Sequence, residues 1–471
     1  MTHDASTTLP PGAVQTLRSQ VTGTVSLPSD PTYSHEIAAF NLRSVHRPAL
    51  VVAAATPGDV QAAVAFAATH RLPVGVLSTG HQPFPTTTSH GCLLISTRAM
   101  HSVQIDPATA TARVEAGALW GDVVGPAQSS GLAPLNGSSA GVGVIGYTLG
   151  GGLSPVLGRL YGWASEHVRA IDVVTADGRL RHVTEQSDPD LLWALRGGRS
   201  NFGVVTALEI ALFPVSTFYG GAIFYPAEQA EAVLRAYHDV AAQAPDALSV
   251  SVALLNFPPL PDLPELLRGK FVVHVRVAFI GAPAAAEELL SPLRRIGEPL
   301  ADTIAPRPYD TYAELHQDPT DPAPYEDQST LLSELTPDTI TALLARVGPA
   351  AANPVTVVEI RHLGGALGKD SGLPSTAGAR LAAFTVWAAT VGPPDVIETG
   401  SQTLRALMTD LSPWSTSLLY PNFTHREALA ENLFSPLVLA DLQRVKQRYD
   451  PENLFRANNH NIFPLPGTDA L

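Results

Sequence analysis

The sequence predicts an α+β protein with more than one domain. Its 471 residues, 45% of them hydrophobic, can bury more core than a single domain usually holds. Up to about residue 215 short apolar runs alternate with helical stretches and tight turns. From Ser216 the units lengthen into alternating strands and amphipathic helices.

In order, ALVVAAA (Ala49 to Ala55) reads as a strand, and Thr56-Pro57-Gly58-Asp59 opens a helix with a hydroxyl cap, a proline at its first position and an acid in its first turn. LPVGVLS and CLLIS return as strands. SVQID and TARVEAGA are a strand pair joined at Pro107-Ala108-Thr109, and WGDVVGPAQSS is a short helix stopped by Gly131. VRAIDVVTADGRLRHV is a hairpin turned at Asp177-Gly178, and FGVVTALEIAL is a buried strand. The second part brings the strand AIFY, the helix PAEQAEAVLRAYHDVAA, the strands ALSVSVALLNF and KFVVHVRVAFI, and the helix APAAAEELLSPLRRI. The proline-rich stretch from Ile304 to Tyr325 is expected to be a surface loop or lid. VTVVEIRHL, LAAFTVWAAT and STSLLYPNF are expected strands, and a last helix spans about Leu437 to Tyr449.

Bulk properties exclude several function classes. A net charge of −14 without a basic run removes the phosphate attraction that nucleic-acid binding needs. The single Cys92 can form neither an intramolecular disulfide nor a multi-thiolate metal site. The amino terminus has no basic-then-apolar signal, and no later stretch is long and apolar enough to span a bilayer, so a cytoplasmic protein without a membrane partner is expected. Only Lys270, Lys369 and Lys446 among 29 basic residues are lysine, a bias that hints at a GC-rich bacterial genome.

The densest signal is GSSAGVGVIGYTLGGG, Gly137 to Gly152. Gly137 to Gly141 matches G-x-S-x-G, which would make Ser139 a hydrolase nucleophile, with His362 and His460 in the right chain order. Its flanks lack the strand and helix that such an elbow needs. Gly141 to Gly146 matches G-x-G-x-x-G, again without the preceding strand. What remains is a glycine-rich backbone suited to close approach by a large flat or phosphorylated ligand.

The blocks RPALVVAAATPGDVQAAVAFA, VLSTGHQ, VEAGALWGDVV, GVGVIGYTLGGGLSPVLGRLYG, VVTADGRL, DLLWALRGGRSNFGVVT and a terminal YDPENLFR stand in the order of the berberine bridge enzyme-like branch of FAD-linked oxidases, which the chain resembles. The resemblance implies a PCMH-type FAD-binding domain built from both chain ends, residues 1–215 and 431–471, around a substrate-binding domain, 216–430, with an antiparallel sheet. It implies that the loop Ser78, Thr79, Gly80, His81, Gln82 meets the FAD pyrophosphate and that His81 is bonded covalently to the flavin. In some members a cysteine makes a second bond; Ser139 stands at that position. Gly141, Gly143, Gly146 and Tyr147 would lie along the cofactor and Val205 near its adenine side, with Asn458 contributing from the terminal block. Val142 matches a position that controls access of dioxygen, the expected oxidant, and no metal is implied.

A substrate C–H would give hydride to the flavin while a base removes a proton. Family members often use the second tyrosine of Y-x-N-Y, but this chain reads Tyr420-Pro421-Asn422-Phe423, and a phenyl ring takes no proton. Tyr420, Glu359 and His362 are therefore the candidate bases. Strand alternation puts Glu359 and Arg361 on one face and His362 on the other. The expected substrate is a small organic molecule, a natural-product intermediate or an alcohol; a flavoprotein catalysing non-redox cyclisation or isomerisation is the alternative.

Overall fold

The computed structural model describes residues 9–463 apart from 83–85, 260, 262–264, 266, 373–378 and 425–428. The first of its three sheets orders the strands Thr24–Ser26, Leu50–Ala53, Leu93–Ser96 and Val74–Leu77. Its last two pairings are parallel, because the helix Pro57–His70 carries the chain back across the sheet. That helix starts as its sequence requires: the Thr56 hydroxyl accepts from the Asp59 N–H, and Pro57 occupies the first position. A second sheet, antiparallel throughout, orders Val103–Asp106, Thr111–Glu115, Val204–Ala211, Val168–Val174 and Leu180–Thr184.

The third sheet is built from Thr217 onward. Its order is Ala301–Asp302, Thr217–Pro226, Phe271–Phe279, Leu248–Asn256, Val357–His362, Phe384–Val391 and Tyr325–Leu332, with Ala305–Pro308 also on Thr217–Pro226. Every pairing is antiparallel. Period-two alternation sorts its faces. Val250, Val252, Val275, Val277, Val358, Ile360 and Val386 form a core with the helices Ala230–Gln243, Pro283–Arg294, Pro337–Val347 and Pro394–Leu411. The opposite parity carries Ser249, Ser251, His274, Arg276, Glu359 and Arg361, so the second face is polar yet buried.

The chain's end returns to its beginning. Leu442 and Val445 of the helix Pro436–Tyr449 join the core of the second sheet, and Leu454 and Phe455 join that of the first. Lys446 Nζ, fully buried, donates to the Asn201 carbonyl and to Asp450 Oδ2, each at 2.7 Å. None of the described helices is long and apolar enough to cross a membrane.

Two sequence expectations fail. STSLLYPNF is not a strand: Ser415 makes one isolated bridge to Leu332, and Pro421–Phe423 is a 3-10 turn. Proline supplies no N–H to a ladder, and Pro421 sits inside the segment. The stretch from Ile304 to Tyr325 is not a surface lid either. It adds the strand Ala305–Pro308 and then buries the 3-10 helix Tyr309–Leu315, whose Tyr309, Tyr312 and Leu315 fill a core with Val124, Leu135 and Ala278. Residues three apart stack on one side of a 3-10 helix, which is what the Tyr309 and Tyr312 spacing encodes.

Candidate active site

The loop 78–82 leaves the strand Val74–Leu77 with its carbonyls pinned. Ser78 O accepts from Arg98 Nε (2.8 Å), Thr79 O from Phe40 N (3.2 Å), Gly80 O from Asn41 N (3.5 Å) and His81 O from Tyr325 Oη (2.8 Å). In a trans peptide the N–H points opposite the C=O, so each pinned carbonyl fixes the direction of the amide that follows it, from Thr79 to Gln82. The result is a row of donors of the kind that receives phosphate oxygens. Gly80 permits the turn, with φ of +72° and the space of a Cβ taken by Ala39.

His81 is half-buried and stacks on Phe40, with ring centroids 4.0 Å apart. Its Nδ1 lies 3.0 Å from Thr79 Oγ1, and burial pushes its pKa down to about 4 against a small opposing pull from Asp318. Gln82 ties the loop to a distant segment by donating to the carbonyls of Pro421 (2.7 Å) and Thr424 (3.0 Å). Asn458 spends its amide on the strand beneath, accepting from Val76 N and donating to Val74 O, so it positions the loop from behind.

The glycine stretch divides into two kinds of position. At Gly152, φ is +74° and a Cβ would meet Tyr147 at 2.8 Å, and at Gly150 a Cβ would overlap Asn422. Packing within the protein demands these. By contrast a Cβ at Gly146 would touch nothing within 4 Å, and Gly141 is exposed with only Ser139 Oγ near it. Gly143 faces the Ser78 and Thr79 side chains, so the two loops adjoin. The short helix Val144–Leu149 follows, and Val205 is buried in the same core as its Val144 and Ile145. Ser139 Oγ accepts from Gly141 N (3.3 Å), while His362 bonds Arg159 and His460 bonds Thr424, so the three do not form a triad.

Over this stretch lies Tyr147, its hydroxyl buried without a partner among the described residues. Burial pushes the phenol well above its ordinary pKa. Asn422 Nδ2 donates both to the Tyr147 carbonyl (2.8 Å) and to Tyr420 Oη (3.0 Å), and Asn422 Oδ1 accepts from Arg199. Tyr420 is buried against Trp163, and desolvation raises its pKa despite the neighbouring Asn422 and the charges of Arg199 and Arg361. Phe423, in the place of the family's tyrosine, lies under the Arg361 guanidinium at 5.1 Å.

Glu359 is encircled. Arg276 bonds it, Arg361 is 2.9 Å away and His316 Nε2 is 3.3 Å away. Burial alone would raise its pKa, but Arg361, Arg276 and His316 hold it well below the carboxylate range. His362 points to the other parity and contacts Arg159 at 3.2 Å, and burial and that cation push it down to about 3. Arg276, His316 and Asn422 were not among the sequence candidates. A period-two reading of HVRV would have found Arg276; no local signal marks His316, whose 3-10 segment is placed by packing.

Residues 48–184 match the family described as FAD binding domain, and residues 429–462 match Berberine and berberine like. Over 463 residues the chain is 30% identical to (R)-6-hydroxynicotine oxidase of Paenarthrobacter nicotinovorans, covering 94% of this chain and 97% of that one. The chain belongs to the berberine bridge enzyme-like family of FAD-linked oxidases. Among solved structures, 6-hydroxy-D-nicotine oxidase from Arthrobacter nicotinovorans superposes with a TM-score of 0.82 at 28% identity, over 94% of this chain and 98% of that one. A berberine bridge enzyme-like protein of Physcomitrella patens shares the fold at TM-score 0.82 and 18% identity, over 95% and 98%.

This berberine bridge enzyme-like protein is therefore an FAD-linked oxidoreductase, and its residues fit the cofactor. The amides of 78–82, the Ser78 hydroxyl, unpartnered among the described residues, and the open side of Gly141 and Gly146 form a cradle that the protein's own packing leaves unexplained. A buried hydroxyl without a partner is costly unless a ligand meets it.

Proposed function

We propose that the enzyme is an oxidase: a small organic substrate gives hydride to FAD held covalently through His81 alone, and dioxygen recovers the electrons as hydrogen peroxide. The state of His81 carries this reading. It stands at the end of the amide row, is uncharged near neutral pH, and is oriented by Thr79, so an imidazole lone pair is available for bonding. With Ser139 in place of a cysteine, no second bond is open to it. FAD supplies the two-electron acceptor.

The protein's own groups narrow the substrate. Glu359 is committed to two arginines, His362 is a weak base beside Arg159, and Tyr420 stays protonated. None is poised to remove a proton near neutrality. Such a site suits a substrate whose hydride leaves with help from a neutral nitrogen lone pair better than an alcohol, whose O–H must first be stripped. The name of the 6-hydroxynicotine oxidase, whose substrate is an amine, supports the same class.

Acid-precipitated, washed protein should stay yellow, and His81→Ala should release its colour. A colourless wild-type pellet overturns the covalent bond.

A further inference from the structure

The polar face of the third sheet holds an arrangement that proton transfer does not use. Register places Ser251 directly between Arg276 and Arg361 on three neighbouring strands, so the three side chains form one row across the face. Strands stand about 4.8 Å apart, which puts the two arginine backbones roughly 10 Å apart with a short serine between them. The slot above Ser251 opens into a cavity that both arginines line, together with His316 and Ser249.

Only one carboxylate is in ion-pair contact with this row among the described residues. The side chains of Arg276 and Arg361 are 6% and 11% exposed, and one carboxylate, Glu359, serves both. Burial pushes the neutral form of His316 and His274, so neither changes this count near neutral pH. Asp318 lies in the field of both arginines and offsets part of their charge from a distance, but its carboxylate is bonded by Ser138 at 2.5 Å and no ion pair joins it to either among the described residues. Each guanidinium keeps an Nε–H without a partner among the described residues. Two buried guanidinium groups that share one contacting carboxylate and keep donors unused are stabilised by an anion that reaches them.

We infer that Arg276, Ser251 and Arg361 are a receptor for an anionic oxygen group, a carboxylate, on the substrate. The inference rests on reading this cleft as the substrate site. Two guanidinium groups flanking a slot match the planar oxygens of a carboxylate, and charge-assisted hydrogen bonds in a dry site discriminate strongly against its neutral amide. The substrate would then carry its acid group on the sheet and its oxidisable carbon toward the flavin.

The test is binding to the resting holoenzyme, followed by perturbation of the flavin spectrum, with benzoate against benzamide and hexanoate against hexanamide. At least one acid should bind about tenfold or more tighter than its amide. In Arg276→Met and Arg361→Met that ratio should fall to near one. Removing an arginine also strands Glu359, so Ser251→Leu, which fills the slot and keeps every charge, is the second variant and should lose the acid preference as well. Equal binding of acid and amide in the wild type, or a preference that survives Ser251→Leu, overturns the proposal. Turnover is not required, so slow reoxidation of photoreduced enzyme would sink the oxidase reading and leave this one standing.

Discussion

Under the proposed oxidase reading, Val142 is the residue that would set how dioxygen reaches the flavin. Its N–H donates to Ser139 O (3.4 Å) and its carbonyl accepts from Trp120 N (3.0 Å), so the backbone cannot retreat to admit a larger residue. Its side chain packs, half-buried, on the core of the second sheet. Packed protein leaves few voids near the size of dioxygen, and on that reading one more methylene at this position would close the path. Photoreduced wild type should regain its oxidised spectrum in air within seconds, with Val142→Leu slower by at least about tenfold, equal to about 1.4 kcal/mol of barrier. Tyr420 is expected to behave otherwise. A lost general base typically costs about 10²- to 10⁴-fold, whereas Tyr420→Phe removes one hydrogen bond to Asn422 and should slow flavin reduction by less than about tenfold in stopped flow. Glu359→Gln leaves Arg276 and Arg361 without their shared counter-ion, and a broken buried ion pair costs about 3–5 kcal/mol, readable in chemical denaturation.

At the scale of elements, the strand Val357–His362 makes stability depend on pH. His362 has its pKa lowered to about 3 in the folded chain, and neighbouring His274 and His316 are lowered too, by burial first and then by Arg276. A depressed histidine binds fewer protons folded than unfolded, so its stabilising effect is full above the unfolded value near 6.5 and is lost as pH falls toward the folded one. Glu359 loses its own contribution lower still, as pH drops below the ordinary carboxylate range. The denaturation midpoint should therefore fall between pH 7 and pH 5, and His362→Gln should flatten that fall; an unchanged slope would remove His362 from the account. The same strand shows what a sequence can disclose. VEIRH alternates as a half-polar strand must, and the split of Glu359 and Arg361 from His362 follows from spacing alone. The partner that disarms Glu359 does not. Arg276 and His316 reach it from a strand and a 3-10 turn distant in sequence, and only the register of the sheet and the packing of Tyr309 and Tyr312 bring them together. The glycine stretch was legible as backbone lacking side chains, and the structure divides it between positions that internal packing demands, Gly150 and Gly152, and open ones, Gly141 and Gly146, whereas STSLLYPNF misled because its apolar run leads into Pro421, which no ladder tolerates.

Over the whole molecule, the two ends of the chain make one body. Phe455 and Leu454 complete the core of the first sheet, and Lys446 with Asp450 locks the last helix to Asn201. A chain ending at residue 430 should lose both, and its expected phenotype is insoluble, colourless protein. The pinned loop adds a further layer. Three of its four carbonyl anchors come from residues 40, 41 and 98, but the fourth is the phenol of Tyr325, which belongs to the third sheet. Asn41 bonds the backbone of Tyr325 in the same place, and Arg43 pairs with Glu326. The loop is thus fully shaped only after that sheet has docked; if it is the loop that holds FAD, as proposed, cofactor capture becomes a checkpoint on assembly, a yellow molecule is one whose parts have already met, and purified, well-folded Tyr325→Phe should be only partly coloured.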